Sequence, residues 1–385
     1  MVKKNIAFLT YGFSGGGTEK VISILLKELS GIYNIHLVLT SDLIGYPIPE
    51  NVKVSIINKS AELDSSISRV LKLPLLAWKY YQICKQNNIE ISFSFLNRPN
   101  FIACMLRFLN WNGIIYISER TSTLLQYQNK NIKSTIGKFL VRRLYPKADL
   151  ILPNSFANAE DLKCKYKIKA TFQVIYNPIN VKDILIQKEI QVEGFDDTSF
   201  TYVMLGRFVK EKDHTSLLIA FSMLPHKNQC KLVLIGVGYL ENDIRCKIAE
   251  LDLSALVVII PFVLNPYKYL SKAQCFVFSS LQEGFPNVLL EALACSLPII
   301  STDCKTGPRE LLAPGTDFNK QLSDSIEYAE FGILVPVKKP IILAKAMQQV
   351  FDDKEIREKY KRTALSRANN FDIPVIMKEY RSLLG

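Results

Sequence analysis

Apolar residues recur along this 385-residue chain in two alternating rhythms. Short unbroken runs of Ile, Val, Leu and Phe read as buried strands, and longer stretches with apolar residues three and four apart read as amphipathic helices. In the first half the runs predict strands at residues 5–10, 35–40, 52–57, 91–96, 114–118 and 150–153. Helical spacing falls between most of them, at 68–86, 100–109, 133–144 and 156–166. Another helix follows the first strand, with Val21, Ile22, Ile24, Leu25, Leu26 and Leu29 on one face. Past Tyr176-Asn177-Pro178 the pattern lapses. Residues 179–198, with Glu193 to Asp197 inside them, have no clean period and read as a connecting segment. The rhythm then restarts, with strands at 202–205, 232–235, 257–260, 275–279, 298–301 and 333–335, and helices at 215–223, 288–294, 341–351, 355–369 and 373–384. Strand–helix alternation of this kind predicts an α/β protein with a parallel, doubly wound sheet in each half. The halves are expected at 1–178 and 199–370, with a last helix about 373–385 returning to the first. Ligands of such sheets sit at the carboxyl ends of the strands.

The loops at those ends carry the chemistry. The first strand ends in Gly12-Phe13-Ser14-Gly15-Gly16-Gly17, just before a helix, an arrangement that offers backbone N–H groups to an anion. Its glycine spacing is not that of a dinucleotide fingerprint, and no Gly-Lys-Ser/Thr follows to make a P-loop. A tight strand-to-helix turn is the plainer explanation of the same residues. In the second half, Gly206-Arg207 follows a strand and Lys212 lies five residues on. Further along, Glu283-Gly284-Phe285-Pro286-Asn287 leads into a helix that carries Glu291. Pro286 suits a first helical turn and Asn287 a helix start. The run Val288 to Ala294 is otherwise apolar, so Glu291 is expected to be buried. A buried carboxylate needs a partner. Paired hydroxyls of a ribose would serve, and so would a core salt bridge.

Composition narrows the classes. Hydrophobic residues make up 48% and charged residues 22%, the balance of a soluble globular protein. The start runs directly into a strand, with no signal-peptide pattern. No apolar run reaches the length of a bilayer span. The eight scattered cysteines suit reduced core thiols in the cytoplasm. No His or Cys spacing marks a metal site, and there is no Asp-x-Asp pair. A net charge of +12 favours an anionic partner. One basic run stands out: Lys130, Lys133, Lys138, Arg142, Arg143 and Lys147, with no acid between them and with Ile132, Ile136, Phe139, Leu140 and Leu144 interleaved. It reads either as an interfacial helix facing anionic lipid or as an ordinary surface helix. Nucleic acid is disfavoured, because no stacking aromatic surface accompanies the charge.

Taken together, Gly15-Gly16-Gly17, Leu205-Gly206-Arg207 with Lys212, Leu234-Ile235-Gly236-Val237-Gly238, Glu283 with Glu291, and Gly307-Pro308-Arg309-Glu310 resemble the retaining GT-B glycosyltransferases of family 4. The resemblance covers nearly the whole chain and is most specific over residues 206–312. It implies a GT-B fold, with two Rossmann-like domains facing a central cleft. It also implies a UDP-sugar donor without cofactor or metal. Arg207 and Lys212 would hold the donor diphosphate together with Gly15–Gly17. Glu291 would bind the ribose, and Glu283 with Phe285, Pro286 and Asn287 the donor sugar. The family often has a histidine after the strand that ends near Ser118. Here the place reads Glu119-Arg120, and Glu119 is a candidate for its role. The implied reaction moves a hexose or N-acetylhexosamine to a glycan or polyprenyl-diphosphate-linked acceptor at the cytoplasmic face of the membrane. A GT-B sugar-nucleotide epimerase and an inactive nucleotide-sugar-binding subunit are the alternatives.

Overall fold

The computed structural model describes residues 3–13, 15–59, 66–127, 131–192 and 199–385, without the side chains of residues 66, 67, 124 and 125. Ser14 of the glycine loop, Lys130 of the basic run, the first two residues and 193–198 of the connecting segment lie outside them. The chain divides into two compact units, residues 1–178 with 376–385 and residues 179–375.

The first unit holds six parallel strands: β1 (Asn5–Thr10), β2 (Asn34–Leu39), β3 (Lys53–Ile56), β4 (Ile91–Phe95), β5 (Ile114–Glu119) and β6 (Leu150–Pro153). Their spatial order is β3-β2-β1-β4-β5-β6. The second unit holds β7 (Phe200–Leu205), β8 (Cys230–Ile235), β9 (Val257–Ile260), β10 (Cys275–Phe278), β11 (Ile299–Thr302), β12 (Glu327–Tyr328) and β13 (Ile333–Val335). Their order is β12-β13-β11-β10-β7-β8-β9, and only the β12–β13 pairing is antiparallel. Central strands of such sheets are covered on both faces, which is why β1 and β10 read as continuous apolar runs. The order reverses between β1 and β4 in one sheet and between β7 and β10 in the other. Loops leaving a reversal splay apart, and the crevice they leave is where doubly wound sheets take ligands.

Some expectations shift. The helix expected at 68–86 is two, Ser66–Leu71 and Leu73–Gln86, with Pro74 in the first turn of the second. A proline there lacks only an N–H that has no helical partner anyway. The connecting segment contains a helix, Val181–Gln187, capped where Asn180 accepts from the Asp183 N–H. At seven residues it is too short to show a period. The helix Glu241–Glu250 was not anticipated, because only Ile244 and Ile248 of it are buried and most of the rest is polar. Residues 156–166 form a short α-helix that passes into a π-helix at Asp161–Lys165.

The last helix is Ile373–Leu384. Within the first unit Tyr380 packs its ring 6.0 Å from that of Phe93 and accepts a hydrogen bond of 2.7 Å from Arg120. Among the described residues no helix is long and apolar enough to cross a membrane.

In the second unit Arg309 is almost wholly buried. Its guanidinium holds Asp303 through Nε (3.1 Å) and Nη2 (2.6 Å), and it also reaches Glu327 at 2.9 Å. Asp303 in turn accepts from the Leu322 N–H at 2.9 Å. The Arg309 of the Gly307–Glu310 signature is therefore a structural clamp between the end of β11, the following loop and β12. Removing one member of a buried ion pair strands the other, at a cost of about 3–5 kcal/mol. Asp303→Ala is expected to lower stability by about that much in urea unfolding followed by circular dichroism. Asp324→Asn, which breaks the exposed pair with Lys339, is expected to leave the midpoint where it was.

Candidate active site

The site in the second unit is assembled by the loops after β7 and β10, on either side of the strand-order reversal. Beyond β7 the Gly206 N–H donates to the Ile235 carbonyl at 2.9 Å, and Phe208 exchanges backbone bonds with Val237 (2.9 Å) and Leu240 (3.1 Å). The Gly206–Phe208 and Gly236–Gly238 loops are thus closed on each other. Gly236 has φ +155°, and a Cβ there would stand 2.0 Å from the Gly206 carbonyl oxygen. A Cβ on Gly238 would stand 2.3 Å from the Phe208 oxygen. The two glycines exist for this approach of backbones. Arg207 is left exposed at the strand end.

A short turn, Lys210–Lys212, follows, then Asp213 in the left-handed region (φ 47°). Asp213 caps the helix His214–Ser222, accepting from the Ser216 N–H at 3.3 Å and hydroxyl at 2.7 Å. The turn aims Lys212 inward. Its Nζ lies 2.5 Å from Glu283 Oε1 and 5.0 Å from the centroid of the Phe278 ring. Both side chains of the pair are 14% exposed. The backbones are joined as well: Ser279 donates its hydroxyl to the Lys212 carbonyl (2.8 Å), and Leu281 its N–H to that of Glu211 (2.8 Å). His214 is buried edge-on against Phe208, 5.0 Å between centroids. Burial and the Lys212 charge push its pKa down to about 4. It is therefore neutral at pH 7 and no general acid there.

On the far side, the Thr306 hydroxyl donates to the Glu283 carbonyl. Gly307 has φ +94°, and a Cβ on it would meet Pro286 Cδ at 2.4 Å. Phe285 is buried, its ring 5.6 Å from that of Phe371. These contacts hold the Glu283–Pro286 turn rigidly ahead of the helix Asn287–Ala294. Pro286 stands at the N-cap, one position earlier than expected, and Asn287 opens the helix. Glu291 is buried as anticipated, 5% exposed. Arg207 and Lys212 are therefore carried by the segment after β7, and Glu283, Phe285, Pro286, Asn287 and Glu291 by the turn and helix after β10, at one reversal. Sequence reasoning missed Phe278, Asp213 and Thr306. Of these only Asp213 had a visible signal, as a capping residue before a helix.

The remaining candidates belong to the first unit. Gly16 is the N-cap of the helix Gly17–Leu29, and Gly15 has φ +129°. The Glu19 carboxylate folds over this terminus, 2.3 Å from where a Gly16 Cβ would be. A carboxylate suits the positive end of a helix, so an incoming phosphate must displace it or share the terminus with a cation. Glu119, at the end of β5, is fully buried. It accepts from the Tyr145 hydroxyl at 2.6 Å and the Thr121 hydroxyl at 3.3 Å. Asn97, in the orientation that satisfies both ends of its amide, donates to it at 2.9 Å. Arg120 is committed to Asn177 (2.5 Å) and Tyr380, with its guanidinium 5.6 Å from the centroid of Phe95. Both residues at the place of the family's histidine are thus engaged by the protein itself. Among the described residues no group of three or more His, Cys, Asp and Glu side chains converges as a metal site.

Residues 186–367 match the family Glycosyl transferases group 1. The chain is 37% identical, over 99% of its length and 100% of the relative's, to the N-acetylgalactosamine-N,N'-diacetylbacillosaminyl-diphospho-undecaprenol 4-alpha-N-acetylgalactosaminyltransferase of Campylobacter jejuni. The chain belongs to the group 1 glycosyltransferases. A second C. jejuni relative, the GalNAc-alpha-(1->4)-GalNAc-alpha-(1->3)-diNAcBac-PP-undecaprenol alpha-1,4-N-acetyl-D-galactosaminyltransferase, is 23% identical over 99% of this glycosyltransferase and 98% of its own length. Among solved structures, HepE of Anabaena in complex with UDP superposes with a TM-score of 0.75 at 17% identity, covering 99% of each chain. The expected GT-B fold and glycosyltransferase activity are borne out.

Burial raises the Glu119 pKa from 4.5 to about 6, against the lowering effect of the hydroxyls that donate to it. The folded state then holds a proton that the unfolded state has lost, so stability falls as pH rises from about 4.5 through 6. The difference amounts to about 2 kcal/mol above that window. Glu119→Gln keeps an acceptor for Tyr145 and removes the charge. Its stability relative to the parent is expected to improve by about 2 kcal/mol between pH 4.5 and 7.5 in urea titrations. A difference independent of pH would contradict the assignment.

Proposed function

We propose that this glycosyltransferase moves an N-acetylhexosamine or hexose, with retention, from a UDP-sugar to a polyprenyl-diphosphate-linked glycan at the cytoplasmic face of the membrane. The observation that carries the proposal is the Lys212–Glu283 pair at the strand-order reversal, with Arg207 exposed on the same loop and Glu291 buried in the following helix. The activities for which the two C. jejuni relatives are named and the UDP in the HepE structure support the choice of donor and acceptor.

The chemistry follows from charge. Breaking the bond between the sugar C1 and the donor phosphate leaves an extra negative charge on UDP. Arg207 and Lys212 are the cations available to stabilise it. A diphosphate arriving at Lys212 competes with Glu283 for the ammonium group. Glu283, an acceptor only, can then take hydroxyls of the donor sugar. Glu291, a carboxylate near the start of the following helix, can accept both ribose hydroxyls. The acceptor hydroxyl attacks C1 on the face the diphosphate is leaving, and its proton passes to a departing phosphate oxygen. The protein's contribution is position and charge rather than a general base. Within the first unit, the helix terminus at Gly15–Gly17 could itself receive an anion once Glu19 is released.

Lys212→Ala and Glu291→Ala are each expected to lower kcat/KM by roughly 10²–10³. The assay is mass spectrometry of the lipid-linked product with UDP-linked N-acetylgalactosamine, N-acetylglucosamine, galactose and glucose as donors. Lys212→Ala with Glu283→Gln controls for the carboxylate left unpaired. Undiminished transfer by both single variants would remove these residues from the site. UDP release without any acceptor would favour an epimerase or hydrolase.

A further inference from the structure

The turn at residues 283–286 is held from behind by residues that the proposed chemistry does not use. The helix Lys354–Asn369 buries Tyr360, Ala364 and Ala368, four apart on one face, and packs on the helix Asn287–Ala294 that carries Glu291. Arg367 lies in its last turn, half-buried. The Arg367 guanidinium donates through Nε to the Leu311 carbonyl (2.9 Å) and through Nη2 to the Glu310 carbonyl (2.6 Å). Both carbonyls belong to the end of the short helix Pro308–Leu312. A helix leaves its last four carbonyls without a helical partner. Here the Arg309 carbonyl takes the Ala313 N–H at 2.8 Å, and the Leu312 carbonyl takes the Phe331 N–H at 2.9 Å. Arg367 supplies the two carbonyls between them, as a cation at a helix C-terminus can.

The other end of that short helix is strained. Thr306 has φ 67° and Gly307 φ +94°, both in the left-handed region. A β-branched residue there costs free energy and persists only where its surroundings over-determine it. Thr306 is buried, and its hydroxyl donates to the Glu283 carbonyl. Gly307 lies against Phe285 and Pro286, where a Cβ would stand 3.1 Å from Phe285 Cα. A second route starts at the same guanidinium. It lies 4.8 Å from the centroid of the Phe371 ring and 5.2 Å from that of Phe331. Phe371 is buried and packs in turn on Phe285. Arg367 thus bears on the 283–286 turn twice, through the helix Pro308–Leu312 and through Phe371.

We infer that Arg367 is a positioning residue for glycosyl transfer: it holds the 283–286 turn in the shape that receives the sugar of the donor. The inference rests on the proposed function in taking that turn as the donor-sugar contact. Arginine suits the task. Its planar fork grips two carbonyls while its face lies on a ring, and lysine can do only part of this. Fold stability does not call for the strained corner at Thr306, which lowers it. Strain kept beside a binding turn is a mark of preorganisation. A turn already in place loses no freedom when the sugar arrives, so more of the contact free energy appears as affinity. Position also matters to rate, since a misplacement of about 1 Å at the reacting atom can cost on the order of 10²-fold.

The test compares the affinity for UDP with that for a UDP-sugar, by calorimetry on one preparation of the full-length protein. The ratio of the two dissociation constants does not depend on the active fraction, so a variant that is only less stable leaves it unchanged. The ligands are UDP and UDP-linked N-acetylgalactosamine, N-acetylglucosamine, galactose and glucose. In Arg367→Lys and in Phe371→Leu, affinity for UDP is expected to stay within about threefold of the parent, and affinity for the preferred UDP-sugar to fall roughly tenfold. Turnover per UDP-binding site should fall by roughly tenfold or more. Phe371→Leu spares both hydrogen bonds of Arg367, so it stands if the arginine variant fails to fold. Arg362→Ala, which removes an exposed arginine of the same helix, should leave the ratio as it was. Equal losses for UDP and UDP-sugar, or an unchanged ratio in both variants while Glu283→Ala alters it, would overturn the inference alone. An unchanged ratio in Glu283→Ala would remove the turn from the donor-sugar site and take the inference with it, and the fault would then lie in the proposed function.

Discussion

The Lys212–Glu283 pair is the contact on which the second unit's site depends. It joins two loops that leave neighbouring strands on opposite sides of a reversal in strand order, where nothing in the sheet itself obliges them to meet. Two mostly sheltered charges meet there at 2.5 Å, each answering the other. The pair therefore fixes the position of both carriers: the turn at Lys210–Lys212 and the turn that precedes the helix of Glu291.

Around that pair the protein spends rigidity on backbone rather than on side chains. Gly236 and Gly238 let the β8 loop lie against the β7 loop at distances that a Cβ forbids, and Gly307 does the same beneath Pro286. Asp213 stops the turn and starts a helix in one residue. Arg309, gripping Asp303 and Glu327, anchors the segment from which Thr306 reaches Glu283. Signature residues that resemble ligand contacts in sequence thus divide into two kinds. Arg207, Lys212, Glu283 and Glu291 carry charge at the reversal, whereas Gly236, Gly238, Gly307 and Arg309 hold the loops that present them.

The α/β alternation and the strand ends were legible because central strands of parallel sheets are apolar throughout. β1 at Asn5–Thr10, β6 at Leu150–Pro153 and β9 at Val257–Ile260 fall where the pattern put them. The burial of Glu291 was legible for the same reason, since its neighbours in the helix are all apolar. The contact of Lys212 with Glu283 was not, because 71 residues separate them and no local pattern encodes a pairing across the sheet. Nor was the fate of Glu119 and Arg120. Their place after a strand suggested a ligand, but Tyr145, Asn97, Asn177 and Tyr380 come from four other segments. The polar helix Glu241–Glu250 escaped because two buried isoleucines make too narrow a stripe to stand out.

The two sheets share one topology at their reversals, yet their loops have been put to different uses. In the first unit the loop after β1 has its helix terminus covered by Glu19, and the residues closing β5 are absorbed in a buried network. It carries an excess of positive charge, 25 Lys and Arg against 12 Asp and Glu. In the second unit net charge is nearly balanced, 23 against 24. Long-range attraction to an anionic surface grows with total charge, whereas recognition of a diphosphate needs few charges well placed. One fold, used twice, carries its charge in two ways: a broad excess of Lys and Arg on one unit, and a sheltered Lys212–Glu283 pair in a near-neutral frame on the other.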